Sequence, residues 1–406
     1  MFHPKQLIWL FVSILFFTQV SAQEMWEFDD WYETEWSEMC EWDEYSDAPG
    51  GHFWFDTEYL YWKIKDSPVP VPLVVKGVVG SPAFFGAPGT SVKIGKENFE
   101  HNWRSGVKAT IGYWFDDEEC LGADISYFFV PNGSKSKSTS SNGQLGSALL
   151  IIPFNNVLTG RENATGLAIP GSFEGEATLK IVNRMQGAEC NGLLGLPCYY
   201  GVNVTALLGF RYWTFNEHLT FTTSSPFIAF PTDVFKTTDK FDVDNNFYGG
   251  QLGLFLEYIG CDYFVSLEGK VAFGTMYSEV SINGNLVTND FTGFGPTLTF
   301  PGGYFALPTN IGTYRTSKFA AIPEVNLNFG YRLMDCLELQ IGYSFLYASN
   351  VFWSGKQIDR TINPTQAPSY SGNPTETLAG EARPKALKKR DDLWAQGLNA
   401  GIVFRY

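Results

Sequence analysis

From Phe53 onward, apolar and polar residues alternate with period two in one segment after another. Phe53, Phe55, Thr57, Tyr59 and Tyr61 share one side of the stretch Phe53–Trp62, opposite Asp56 and Glu58. Val107, Ala109, Ile111, Tyr113 and Phe115 alternate with Lys108, Thr110 and Gly112, and Leu121–Phe129 sets Ala123, Ile125 and Tyr127 against Asp124 and Ser126. The next pair is Ala177–Met185 and Val202–Tyr212, the second carrying Asn203, Thr205 and Arg211 on its polar side. Tyr248–Tyr258 and Tyr263–Phe273 follow, with Gln251, Glu257, Ser266, Glu268 and Lys270 opposite their apolar faces. Ala321–Leu333 and Leu337–Tyr347 add Glu324, Asn326, Asn328, Glu338, Gln340 and Ser344. The final stretch, Leu393–Tyr406, shows Trp394, Leu398, Ala400, Ile402, Phe404 and Tyr406 against Ala395, Gly397, Asn399, Gly401 and Arg405. Such strict alternation predicts strands, not helices.

The connections alternate as well. Short turns fall near Asp116, Cys190, Gly260 and Asp335, while long Gly-, Pro-, Ser- and Asn-rich segments span Lys63–Trp103, Pro131–Gly175, Asn216–Asn245, Tyr277–Lys318 and Asn350–Asp392. A soluble sandwich has no need of that asymmetry. It is the pattern of an all-β transmembrane antiparallel up-and-down β-barrel, with short periplasmic turns, long external loops and both termini in the periplasm. The segments give ten strands, and the longest loops leave room for twelve. An aromatic end on the last strand resembles the signal read by the barrel-insertion machinery, carried here by Asn399, Gly401, Phe404 and Tyr406.

The N-terminus sets the compartment. His3 and Lys5 precede the apolar run Leu7–Phe17, and Val20-Ser21-Ala22 supplies small residues for cleavage, so residues 1–22 read as a secretory signal peptide. That run is too short to span a bilayer comfortably. Residues 23–50 form an acidic, aromatic-rich segment: Gln23–Asp47 holds eleven acidic residues and no Lys or Arg, which accounts for most of the net charge of -15. Two readings stay open for it, a solvated tail or a short amphipathic helix along Phe28, Trp31, Tyr32, Trp36 and Met39. Its periplasmic partner is unknown. Residues 51–406 are the barrel domain. The balance of 17% aromatic against 17% charged residues fits a barrel with interfacial aromatic girdles, and the expected location is the outer membrane of a Gram-negative bacterium, in contact with its lipid and lipopolysaccharide.

Six cysteines in an exported chain can pair. Cys120, Cys261 and Cys336 are placed in short turns, and Cys190 and Cys198 bracket another; without a C-x-x-C spacing no zinc site is expected. Catalytic chemistry is sparse. His218 is placed near the external rim with Asp233 and Ser224 close in sequence, but no motif fixes a nucleophile beside a base. No phosphate-cradling glycine loop occurs. Neither enzyme activity, a cofactor, a metal nor nucleic-acid binding is expected.

Taken in order, a series of short motifs is similar to the β-barrel porin-7 family of outer-membrane proteins. They include Glu58-Tyr59-Leu60-Tyr61-Trp62 with Pro68-Val69-Pro70, Arg104-Ser105-Gly106, Gly112-Tyr113-Trp114 and Pro153-Phe154-Asn155-Asn156-Val157. Gly209-Phe210-Arg211-Tyr212, Asn246-Phe247-Tyr248-Gly249-Gly250-Gln251-Leu252-Gly253 and Pro308-Thr309-Asn310-Ile311-Gly312 follow. Gly342-Tyr343-Ser344-Phe345-Leu346-Tyr347 and Trp394-Ala395-Gln396-Gly397-Leu398-Asn399 complete the series. The resemblance runs from about Phe53 to Tyr406 and implies an outer-membrane barrel. It brings no catalytic or ligand residues with it.

The polar side of the strands is then the lumen. Glu58, Lys108, Asp124, Arg211, Glu257, Glu268, Lys270, Glu324 and Arg405 are its lining candidates, joined by Lys180, Arg184 and Glu338. Two functions follow. If these charges leave a wet path, the barrel is a narrow porin-like channel for small hydrophilic solutes. If they pair across the lumen and the loops fold in, it is an occluded structural or adhesive surface barrel. Lys385, Lys388, Lys389 and Arg390, before the last strand, are placed either against lipopolysaccharide phosphates or in solvent.

Overall fold

A computed structural model describes residues 53–406 apart from 81–83, 117, 200, 231, 290–294 and 372–377. The signal peptide and the acidic segment therefore lie outside the described residues. Ten strands close into one antiparallel barrel: β1 (Phe53–Ile64), β4 (Arg104–Trp114), β5 (Leu121–Ser141), β8 (Gly175–Tyr199), β9 (Val202–Ser224), β10 (Phe235–Ile259), β11 (Tyr263–Thr288), β13 (Gly312–Met334), β14 (Leu337–Phe352) and β16 (Arg390–Arg405). Each pairs with its neighbour in chain order, and β1 pairs with β16 from Trp54 opposite Arg405 to Ile64 opposite Ala395. Phe53 and Tyr406 finish that seam with two backbone hydrogen bonds, of 3.0 and 2.8 Å.

The lower wall is built as a membrane requires. Leu208, Phe210, Leu252, Leu254, Ile341, Leu398 and Ile402 face outward and are exposed. Aromatic clusters border them. Tyr212, Tyr248 and Tyr277 adjoin one another on one side, and Tyr258, Tyr263 and Phe329 on the other. Tyr248 and Tyr258 are ten residues apart on β10, about 34 Å along a strand. At the usual tilt that gives a band about 25 Å tall.

Several of the ten strands, β5 and β8 to β11 among them, continue past the level of the upper aromatics. In β8 to β11 the alternation continues with its sign reversed. Phe215, Leu219, Phe221, Phe241, Val243, Val280 and Ile282 point inward and are buried, while Asn216, His218, Thr220, Lys240 and Asp242 take the outer positions. This corrects the expected loops at Asn216–Asn245 and Tyr277–Lys318, which are mostly strand. Outside the bilayer, water replaces lipid, so the outer face turns polar and the apolar face must be buried within. The same extension corrects three further expectations. Lys180 and Arg184 lie exposed on the outer wall, not in the lumen. Cys190 is an exposed mid-strand residue of β8, and Cys198 also lies within that strand, so the turn comes after Tyr199. Cys120, Cys190 and Cys336 are free thiols, whereas Cys261 is disulfide-bonded.

A second sheet fills the upper barrel. It comprises β2 (Ser67–Lys76), β3 (Ser91–Phe99), β6 (Leu150–Asn156), β7 (Arg161–Ala168) and β15 (Thr361–Ile362), in the order β15-β6-β2-β3 with β7 on the far edge of β6. The short β12 (Leu298–Pro301) pairs antiparallel with the upper end of β11. Because β2 is buried on both faces, Leu73, Val74 and Val75 run consecutively without a polar break. Its prolines force register shifts against β3, where Gly95 adopts a φ of +90° and leaves no room for a side chain beside the Val71 carbonyl. Val69, Leu73, Ile94, Phe99 and Ile152 of this inner sheet share one core with Leu179, Leu219, Phe241 and Ile282 of the wall.

Candidate functional site: the barrel lumen

The lumen is layered, and the layers follow from which residues each strand turns inward. At the short-turn end lies a cavity of about 570 Å³. Of the nine lumen-lining candidates, Glu58, Lys108, Asp124, Glu257, Glu268 and Arg405 line it. Lys108 meets Glu58 at 2.9 Å, and Arg405 reaches Glu257 at 3.4 Å and Glu338 at 3.2 Å. Gly401, expected in the assembly signal, has a packing reason as well: a Cβ there would come within 3.0 Å of Glu58 Cγ and the Thr57 carbonyl.

The other three candidates, Arg211, Lys270 and Glu324, do not line the cavity; with Glu189 they form a paired network that meets its wall at Glu268. Arg211 lies 2.5 Å from Glu189 and 2.7 Å from Glu324. Lys270 lies 3.0 Å from Glu189 and 3.2 Å from Glu268. Gln251 donates to Glu189 and Asn191, and Asn326 to Glu268 and Glu324. Charges removed from water need such pairing, since an isolated buried ion costs several kcal/mol. The network joins β8, β9, β10, β11 and β13 across the lumen. Glu189 went unread in the sequence because the expected turn at Cys190 hid the continuation of β8, although its parity with Asn183 and Met185 was the available signal.

Above the charges sits an apolar septum. Nine of the ten wall strands contribute to one apolar cluster, including Trp62, Phe128, Met185, Trp213, Phe215, Phe247, Met276 and Leu346, capped by Trp353 after β14. Trp213, Phe215, Phe247 and Trp353 have no exposed surface. Asn399 links the two layers, accepting from Trp62 Nε1 at 2.8 Å and donating to Ser344 at 2.6 Å.

Polar ties then fasten the inner elements to the wall. Glu217 of β9 accepts from Ser67 of β2 and from the Ser354 backbone and hydroxyl, the first residue of a short 3-10 turn at Ser354–Gln357. His101 Nε2 lies 2.9 Å from the Ser67 hydroxyl and 3.2 Å from Asn183 Nδ2. Asn245 of β10 holds Phe352 by both its N–H and its carbonyl, and Asp239 accepts the N–H groups of Tyr304, Phe305 and Ala306. Burial pushes the Glu217 carboxyl up and Asp239 to about 6, and burial with the nearby Arg104 guanidinium holds His101 down at about 4.

The rim residues considered for catalysis are not assembled. His218 lies on the outer wall, 3.0 Å from Asp242, whose hydrogen bond raises its pKa. Ser224 is six residues away on the same strand, about 20 Å, and Asp233 caps the Phe227 N–H. Of the four basic residues raised at this end, Lys385 pairs with Glu381, Lys388 lies over the Tyr314 ring, and Arg390, which opens β16, bonds the Asn350 carbonyl above the Phe352 ring, while Lys389 is exposed. Of the assembly-signal residues, Phe404 faces outward and Tyr406 is exposed.

A closed ten-stranded antiparallel barrel with an apolar outer band and a polar lower lumen is an outer-membrane β-barrel. The chain belongs to the family described as "Putative beta barrel porin-7", whose profile matches residues 54–406. No curated protein matches it. Among solved structures it is similar to the outer membrane protease OmpT from Escherichia coli, at 11% identity and a TM-score of 0.38, covering 88% of this chain and 98% of that one. A mutant of the monoaromatic hydrocarbon channel TodX gives 11% identity and a TM-score of 0.21, covering 88% and 90%. A Pseudomonas aeruginosa FadL homologue gives 9% and 0.21, covering 87% and 90%.

Proposed function

We propose that the protein is a closed outer-membrane barrel that anchors and displays a folded extracellular head, not an open pore. The observation that supports this reading is the septum: an apolar layer drawn from nine strands, with no exposed surface on its central aromatics, stacked on a paired charge network. An ion crossing it would have to shed its water without a polar partner. The alternative is the narrow porin-like channel for small hydrophilic solutes, which needs the inner sheet displaced. Planar-bilayer recording separates the two. A folded, heat-modifiable barrel should give no unitary conductance; steady channels whose ion preference shifts when Arg211 or Lys270 is neutralised would overturn the closed reading.

In this reading the signal peptide is removed, the turns and both termini face the periplasm, and the head projects past the lipopolysaccharide. No enzymatic role is assigned. The insertion machinery reads the C-terminal strand, so Phe404→Ser with Tyr406→Ser should block assembly in cells. Normal surface-protease resistance and heat-modifiability of that double variant would remove the signal from this strand.

A further inference from the structure

We propose that the cavity at the short-turn end is a binding site for an organic cation with an apolar body, such as an alkyl- or arylammonium group. The inference rests on the closed-barrel reading only in that the cavity is a blind pocket entered from the periplasm.

Three features of the cavity point to that class. Its charge is one-sided: among the described residues seven carboxylates line it, Asp56, Glu58, Glu118, Glu119, Asp124, Glu257 and Glu268, against the two cations Lys108 and Arg405. Both cations are already engaged, with Glu58 and Glu257. Among the described residues Asp56, Glu118, Glu119 and Asp124 form no ion pair with a Lys or Arg. Asp56 accepts from the neutral Gln340 amide and also meets the Glu58 carboxyl, and Asp124 accepts from Asn191. Second, one part of the wall between these acids is aromatic and aliphatic, beside the neutral polar side chains of Thr110, Asn203, Thr205, Ser266, Asn328 and Gln340. Trp54 and Trp114 pack at a centroid separation of 5.6 Å, and Phe255, Phe264, Leu207 and Val403 complete the apolar side. Third, the volume of about 570 Å³ is within the range of small-molecule sites and far exceeds what a bare metal ion needs. Carboxylates beside indole faces recognise ammonium groups, by charge and by the ring quadrupole together. A hydrated inorganic cation gains from the acids but nothing from the rings. A neutral hydrocarbon gains from the rings but leaves the acids uncompensated.

The test is isothermal titration calorimetry on the full-length mature chain, folded in a maltoside detergent that carries no ammonium group. The probe is benzyltrimethylammonium, with its neutral isostere neopentylbenzene and with Ca²⁺ as comparisons. One saturable site is expected, at least tenfold tighter for the ammonium than for the isostere. Asp56→Asn with Asp124→Asn should weaken it at least tenfold while the barrel stays heat-modifiable. Trp114→Leu, which alters no charge, should weaken it about fivefold and guards against a fold defect in the first variant. Equal affinity for the neutral isostere, displacement of the ammonium by stoichiometric Ca²⁺, or affinity unchanged in both variants would each overturn the proposal. Channel activity with binding intact would remove the closed-barrel reading and leave the site standing.

Discussion

The lower and upper halves of β8 to β11 share strands, hydrogen-bond ladders and side-chain period, yet they are opposite in polarity. On β9, Leu208 and Phe210 face lipid while Arg211 points inward; a few residues on, Asn216, His218 and Thr220 face water while Phe215, Leu219 and Phe221 point inward. The backbone does not register the change. What differs is the solvent outside, and it dictates both faces: lipid outside permits a polar, internally paired lumen, and water outside demands an apolar core. The inner sheet is the consequence. The apolar inner face of the upper wall cannot fill the barrel by itself, and β2, β3 and β6 supply the side chains that do.

That contrast can be broken by substitution. The largest effects belong to the two interiors. Phe241→Ala empties a fully buried position of the upper core and should cost about 3–5 kcal/mol. Arg211→Met in the lower lumen strands buried carboxylates, and should cost about 3 kcal/mol, the lower end for a broken buried pair, because Lys270 still reaches Glu189 and Glu324. Urea unfolding in lipid vesicles measures both. The outer faces should respond unequally to one charge. Leu252→Arg, in the middle of the apolar band, should cost about 2–4 kcal/mol.

Acid should act on the ties between wall and inner sheet. The folded pKa of His101 is about 4 against an ordinary 6.5, so its contribution is fully present above pH 6.5 and is lost as pH falls towards 4. The loss amounts to up to about 3 kcal/mol. Asp239 and Glu217, shifted upward, work in the opposite direction over the acid range. His101→Gln keeps hydrogen-bonding capacity without titrating, so its stability should fall less than that of the parent between pH 6.5 and 4; parallel profiles would exclude His101 from the acid response. Smallest of all, Thr222→Arg on the water-facing wall should change stability by less than about 0.5 kcal/mol. Comparable losses at Thr222 and Leu252 would place the bilayer higher on the strands than the aromatic clusters do.

Much of the lower barrel was legible in the sequence, because lipid-facing residues such as Ile341 and Leu398 alternate with polar residues that have no other reason to recur at period two. The ten strands, the short turns after Phe115 and Ile259, and the β1–β16 seam all follow from that. The upper wall carried an equally regular pattern. It reads as loop in the sequence because these segments are rich in Gly, Pro, Ser and Asn, as connecting chain is, and because the phase of the apolar residues flips. The inner sheet was hidden for another reason. Strands buried on both faces, such as β2 with three prolines, have no alternation to show. The charge network's members were mostly identifiable singly, but their pairing depends on barrel curvature, which brings Glu189 of β8 to Lys270 of β11 although neither strand adjoins the other.

The unbroken strands also have a mechanical consequence. β10 and β11 stay in register from Phe235 opposite Thr288 down to Ile259 opposite Phe264. A pull on the upper tips is therefore directed along the strand axes, across hydrogen bonds that lie perpendicular to them. The ladder is loaded in shear, so many bonds share the force, instead of being unzipped one at a time. The pairing of β10 with β11 runs unbroken from the upper wall into the lipid-facing band, so tension on the one is delivered directly to the other.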